Sequence, residues 1–148
     1  MPKRFALEYT NEKGEKAEPV VIHRASIGAI ERTKAFLLEK YKGALPLWLS
    51  PVQVALIPIA ERHVAAAQKM ADDLKAAGIR VEVDDRSEPM GAKIRFHTLQ
   101  KVPFMGIIGD REVEGNHISL RSRKGEDLKS QSLESFLSLL KDQLEHRI

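Results

Sequence analysis

Two arginines and a carboxylate fall within residues 112–123, where Glu112, Arg121 and Arg123 can be shown together to a ligand. A carboxylate accepts hydrogen bonds and a guanidinium donates them in a planar fork, so the set suits the polar edge of a flat molecule. The spacing predicts a hairpin. With Gly115-Asn116 as a two-residue turn, Glu114 faces His117, Glu112 faces Ser119 and Asp110 faces Arg121. A period of two then turns Val113, Ile118 and Leu120 inward and leaves Glu112, Glu114, His117, Ser119, Arg121 and Arg123 outward. Two readings of Glu112 and Arg121 remain open on this pattern. One is a cross-strand ion pair worth under about 1 kcal/mol; the other is an acceptor and a forked donor reserved for a ligand.

The elements that must position these residues are legible on either side. Residues 52–59 form an almost continuous apolar run, as in a strand covered on both faces. Val64, Ala67, Ala71 and Leu74 recur at helical spacing, and Gly78 is placed to stop that helix. Residues 80–85 predict a second strand, 90–101 a helix and 104–110 a third, buried strand, giving a βαβαβ order. The basic strand follows with a loop running to Gln131. Leu133, Phe136, Leu137, Leu140 and Leu144 then define a closing amphipathic helix that begins at Ser132. Pro46 and Pro51 mark a joint before this region. Ahead of it, residues 4–10 and 18–23 read as strands joined by a polar turn, and Ile27, Ile30, Leu37, Leu38 and Tyr41 form a helical stripe ended by Gly43.

Composition sets outer limits. With 148 residues, 43% hydrophobic and 30% charged, the chain can bury one good core, and its charge of +3 permits an anionic partner without requiring one. The absence of cysteine removes disulfides and thiolate metal sites and suits a reducing cytoplasm. No apolar run approaches the roughly 18 residues of a membrane span, and no signal segment follows Met1-Pro2-Lys3-Arg4. Gly106-Ile-Ile-Gly109 lies within a predicted strand and opens no helix, so it matches neither a dinucleotide fingerprint nor a P-loop. Asp84-Asp85 reads as a solvated strand end. The five histidines show no zinc-ligand spacing.

Longer words in the sequence are more specific. The segments Pro46-Leu-Trp-Leu-Ser-Pro-Val-Gln-Val54, Ala77-Gly-Ile-Arg-Val-Glu-Val-Asp84, Gly91-Ala-Lys-Ile-Arg95, Leu99-Gln-Lys-Val-Pro103, Gly109-Asp-Arg-Glu-Val-Glu114 and Arg121-Ser-Arg-Lys-Gly125 occur in this order. Together they resemble the C-terminal part of threonyl-tRNA synthetases, which are class II enzymes. Val20-Val-Ile-His-Arg-Ala25 and Gly28-Ala-Ile-Glu-Arg32 resemble the last strand, third signature motif and following helix of that family's catalytic domain. The resemblance implies an α/β fold, a mixed and mostly parallel sheet flanked by helices, in an anticodon-binding domain over residues 46–148. A remnant of the catalytic domain, an antiparallel hairpin and a helix, would occupy residues 1–45. The first two signature motifs are absent, so the chain reads as a C-terminal piece of a larger enzyme.

The resemblance also implies roles. Arg121 matches an arginine that reads the middle anticodon base, and a guanidinium can bind guanine O6 and N7 together. Glu112 matches a carboxylate that helps to read the anticodon, while Arg123 and Lys124 would hold phosphates. Ser87 stands where the family commonly has an anticodon-contacting asparagine. Arg32 matches the signature arginine that holds ATP; Ala29 and Thr33 depart from the pattern around it. His23 matches one of three zinc ligands. One imidazole does not retain zinc, so no cofactor is expected in this chain, with ATP, magnesium and zinc belonging to the intact enzyme. The expected partner is threonine tRNA, with no DNA or membrane partner, and the intact ligase is expected to be a cytoplasmic homodimer. The rival reading is a free-standing tRNA-binding or accessory protein that has borrowed the domain.

Overall fold

The computed structural model describes residues 1–147. It divides into two compact units, the first comprising Met1–Ala35 and the second beginning at Phe36. In the first unit β1 (Tyr9–Thr10) pairs antiparallel with β2 (Lys16–Ala17), and the Asn11 side chain caps their turn by accepting the Lys13 and Glu15 amides at 2.9 Å each. The strands are much shorter than residues 4–10 and 18–23 predict. Lys3–Phe5 is a 3-10 turn, Ala6 is left-handed, and residues 18–23 hold no strand. No residue of this unit is buried, and a two-stranded ribbon without a covering layer does not sustain long strands. The helix α1 (Ile30–Lys40) forms where its stripe predicts, and Gly43, at φ 76°, follows its end.

The second unit is built on a five-stranded sheet in the order β4-β3-β5-β6-β7. Strands β3 (Val54–Pro58), β4 (Val81–Val83) and β5 (Phe104–Ile108) are mutually parallel, whereas β6 (His117–Ser122) and β7 (Asp127–Ser132) add antiparallel pairs. The sheet is therefore mixed, with parallel and antiparallel pairings in equal number. Every residue of β3 is buried, as its apolar run requires. Val54, Leu56, Phe104, Ile108, Ile118 and Leu120 pack on one face against α2 (Val64–Ala76) and α5 (Leu133–Glu145). Ala55, Ile57 and Met105 pack on the other face with Ile94 of α3 (Met90–Leu99). Gly106 lies where a Cβ would come within 2.8 Å of Leu56 and 2.7 Å of Ile118, so the glycine lets β3, β5 and β6 share one close-packed layer.

The predicted hairpin at Gly115-Asn116 does not form. Asp110–Gly115 is a short helix, α4, and Asn116 is its left-handed C-cap at φ 51°. Gly109 thus opens a helix after all, and its amide donates to the Glu112 carboxylate at 3.0 Å, the return half of a capping box. The true hairpin is β6 with β7, whose polar residues read as a loop in sequence. Its tight turn places Gly125 at φ 87°, and the register shifts between Ser119 and Arg121.

Asp84 is buried rather than solvated at its strand end. Arg86 grips its carboxylate with Nε at 2.8 Å and Nη2 at 2.7 Å, and the buried His97 donates from Nε2 at 2.9 Å. Lys93, also buried, donates to the carbonyls of Asp84 and Pro58, which ties α3 across the ends of β3 and β4. The Arg86 guanidinium holds the Asp84 carboxyl down at about 2, against the push of burial and with help from His97. An unfolded aspartate titrates near about 4, so as pH falls the unfolded chain takes up this proton first. The resulting stabilisation of about 2 kcal/mol is full above about pH 5 and is lost as pH drops from about 4 to about 2. In urea titrations, Asp84→Asn should lower stability at neutral pH by about 3 kcal/mol and flatten the acid limb between those values. A variant acid limb as steep as that of the parent contradicts this assignment.

Candidate nucleic-acid interface

Alternation along β6 decides which side chains reach the open face of the sheet. Ile118 and Leu120 are buried in the larger core, so His117, Ser119 and Arg121 project from the opposite side. The small core on that side contains no residue of β6 or β7. Arg121 pairs in register with Met105 on one side and Asp127 on the other, not with Asp110 as the hairpin reading had it. The Asp127 carboxylate is turned to its own backbone, accepting the Lys129 amide at 3.0 Å. Among the described residues Arg121 enters no ion pair, so its half-exposed guanidinium retains donors for a ligand.

Glu112 reaches the same side by a different route. It stands in α4, and its Oε1 accepts the Ser119 hydroxyl at 2.7 Å. Burial, the largest single influence, pushes its carboxyl up, yet hydrogen bonds from Ser119, its own amide and the Gly109 amide hold it below the usual carboxylate range. Glu112 is therefore an ionised acceptor fixed two positions along β6 from Arg121. The structure brings Glu112 and Arg121 to one side of β6 by a geometry other than the predicted hairpin, with Ser119 as the link between them that sequence reasoning missed. That reasoning missed a second support as well. Asp110, at the start of α4, receives Arg62 at 3.0 and 2.6 Å and the buried His63 at 2.9 Å, which holds α4 against the turn after β3.

The remaining candidates are spread out. Arg123 is half-buried and its Nη1 donates to the Leu45 carbonyl at 2.6 Å, so it ties the end of β6 to the segment before β3. Burial also lowers its pKa. Lys124 is exposed in the β6–β7 turn. Ser87 is exposed beyond β4, which two strands separate from β6, a span of about 14 Å at the usual spacing. It lies at a cavity of about 420 Å³ formed with Pro58, Arg86 and Lys93. In the first unit His23 and Arg32 are both exposed. No group of three metal-ligating side chains gathers among the described residues.

Comparison with known proteins places this arrangement. Residues 53–143 match the anticodon binding domain family. The chain belongs to that family. This anticodon-binding domain is 51% identical over 137 residues to the threonine–tRNA ligase of Acidobacterium capsulatum, a match covering 93% of the chain and 20% of that protein. It is 48% identical over 148 residues to the ligase of Clostridium tetani, covering all of the chain and 23% of the relative. The chain thus spans about a fifth of the length of these curated relatives. Among solved structures, the RNA binding domain of threonyl-tRNA synthetase from Cryptosporidium parvum Iowa II matches with a TM-score of 0.73 and 32% identity, covering 95% of the chain and 36% of that structure. Histidyl-tRNA synthetase from Nostoc shares the fold at a TM-score of 0.59 and 23% identity, covering 64% of the chain and 23% of that structure. No helix among the described residues is long and apolar enough to cross a membrane.

The coupling of Glu112 to Ser119 has a direct readout. In Ser119→Ala the carboxylate loses its shortest hydrogen bond while burial remains, so the Glu112 pKa should rise in a carboxyl-detected NMR titration. An unchanged value would mean that Ser119 does not hold this side chain.

Proposed function

We propose that this domain recognises the anticodon of threonine tRNA as part of a threonine–tRNA ligase, and that Arg121 reads the middle base. The carrying observation is a guanidinium that enters no ion pair among the described residues, held on the side of β6 where Ser119 binds an ionised Glu112. Guanine presents O6 and N7 as adjacent acceptors that the fork can bind together. Glu112, whose Oε1 accepts from Ser119 and whose Oε2 accepts from the Gly109 amide, has a further lone pair on each oxygen with which to accept an N–H from the base edge. Anticodon bases lie in a single-stranded loop and can splay outward to meet such a surface. Lys124 supplies phosphate attraction and salt dependence, whereas Arg123 acts first as a tie within the domain. Ser87 belongs to a separate part of the surface.

In the intact ligase, threonine and ATP would form an adenylate and the threonyl group would pass to tRNA. Arg32 would take part in holding ATP there, and magnesium and zinc would be supplied with the rest of the catalytic domain. The intact protein would act in the cytoplasm as a homodimer. This chain by itself binds tRNA.

Filter binding with a panel of tRNA transcripts tests the reading. Threonine tRNA should bind best, and Arg121→Lys should reduce its advantage by about 1 to 3 kcal/mol, roughly 5- to 150-fold, because an ammonium cannot reproduce the planar fork. Equal affinity for all transcripts would instead favour a nonspecific accessory role.

A further inference from the structure

A second cavity, of about 310 Å³, lies on the side of the sheet that carries the smaller core, and the anticodon reading uses none of its lining residues. Its size stands at the lower end of small-ligand sites, ~300–1,000 Å³. Val52 and Val102, which pack with the smaller core, give it an apolar wall together with Leu45, and Phe96 and His97 of α3 complete that wall. His97 is the unusual member. Only 1% of it is exposed, its Nε2 meets the Asp84 carboxylate at 2.9 Å, and the Phe96 ring stands edge-on to it with the centroids 5.1 Å apart. An ionised carboxylate only accepts, so Nε2 carries the proton and the neutral ring leaves Nδ1 as an acceptor. Among the described residues, His97 Nδ1 is the one buried side-chain polar atom without a hydrogen-bond partner.

Buried polar atoms in native proteins are nearly always paired, so an unpaired acceptor on a residue that lines a cavity marks a place for a donor. The donors on the same wall are already engaged. The Ser50 hydroxyl is directed at the Leu45 and Pro46 carbonyls at 3.2 and 3.1 Å, and the Lys101 amine donates to the Lys42 carbonyl. Glu82 and Lys101 are the charged side chains of the lining and carry opposite signs, so the cavity selects neither a cation nor an anion. Aliphatic walls beside the Phe96 ring suit a flat apolar body. We propose that this cavity binds a small neutral aromatic molecule with a single O–H or N–H donor, of the phenol or indole class, which donates to His97 Nδ1 and lays its ring against Val52 and Val102. The site is separate from the anticodon reading and does not depend on it.

NMR titrations of the full chain with phenol and with toluene, which has a ring of the same size and no donor, test the proposal. Phenol should bind saturably and perturb the amides of residues 50–52 and 96–102. His97→Phe keeps a ring in place of the imidazole and removes the acceptor. In that variant the ratio of the toluene to the phenol dissociation constant should fall by about 2- to 12-fold, the worth of one hydrogen bond, while thermal unfolding shows a folded domain. The parent chain gives a readout that needs no variant: phenol should move the nitrogen resonance of His97 Nδ1 upfield, as for an imidazole nitrogen that begins to accept a hydrogen bond, and toluene should leave it in place. Benzoate and benzylamine, which are charged at neutral pH, should bind more weakly than phenol. Absence of saturable binding at these residues, an Nδ1 resonance unmoved at saturating phenol, an equal ratio in both proteins, or tighter binding of either charged probe overturns the proposal.

Discussion

The antiparallel pairing of β6 with β5 fixes the side on which this domain can meet a ligand. Burial of Ile118 and Leu120 in the larger core admits one register, because a slip by a single residue would put Arg121 and Ser119 into that core and expose two large apolar side chains. Gly106 makes the register tight by allowing Leu56 and Ile118 to close over it. A core constraint thus becomes a surface constraint. The same alternation that satisfies the hydrophobic side delivers to the open side an arginine that enters no ion pair among the described residues.

A second device supplies the acidic companion. The chain leaves β5 at Gly109 and makes one short helix, whose Glu112 both caps the helix start and reaches the Ser119 hydroxyl. Asp110 secures the same helix through Arg62 and His63. The acceptor is therefore fixed from two directions before any ligand arrives, which limits the side-chain ordering that binding must offset. At the far end of the sheet, Asp84 does similar service for Arg86, and through His97 and Lys93 it joins the strand ends to α3.

Much of this architecture was legible because periodicity and burial agreed. The apolar run around Leu56, the spacing of Ala67, Ala71 and Leu74, and the stripe through Phe136 and Leu140 each had one structural solution, and each lies in the core. The segment from Asp110 to Asn116 had two. Gly115-Asn116 satisfies a hairpin turn, but Asn116 equally serves as a left-handed helix cap, and the capping bond from Glu112 to Gly109 favours the helix. Alternation could not reveal β7, whose Asp127, Lys129 and Ser130 are polar and whose Lys129 is left-handed. The strands expected before residue 24 follow apolar residues such as Val20 and Ile22, which remain exposed and have no layer to pack on. Arg121 and Glu112 nevertheless share one side of β6, and their pairing as candidates came from longer sequence words rather than from the hairpin. Ser119 and Asp110 carried no such signal because their work depends on contacts between distant elements.

The most direct measurement of the central claim removes one acceptor atom from the ligand. Replacing the middle guanine of a threonine anticodon stem-loop by 7-deazaguanine deletes N7 and leaves O6 in place. Binding to the parent chain should weaken, and binding to Arg121→Gln should be insensitive to the replacement, because the forked contact is already gone. An equal penalty in both proteins, or none in the parent, would contradict the assignment of Arg121 as the reader of that base.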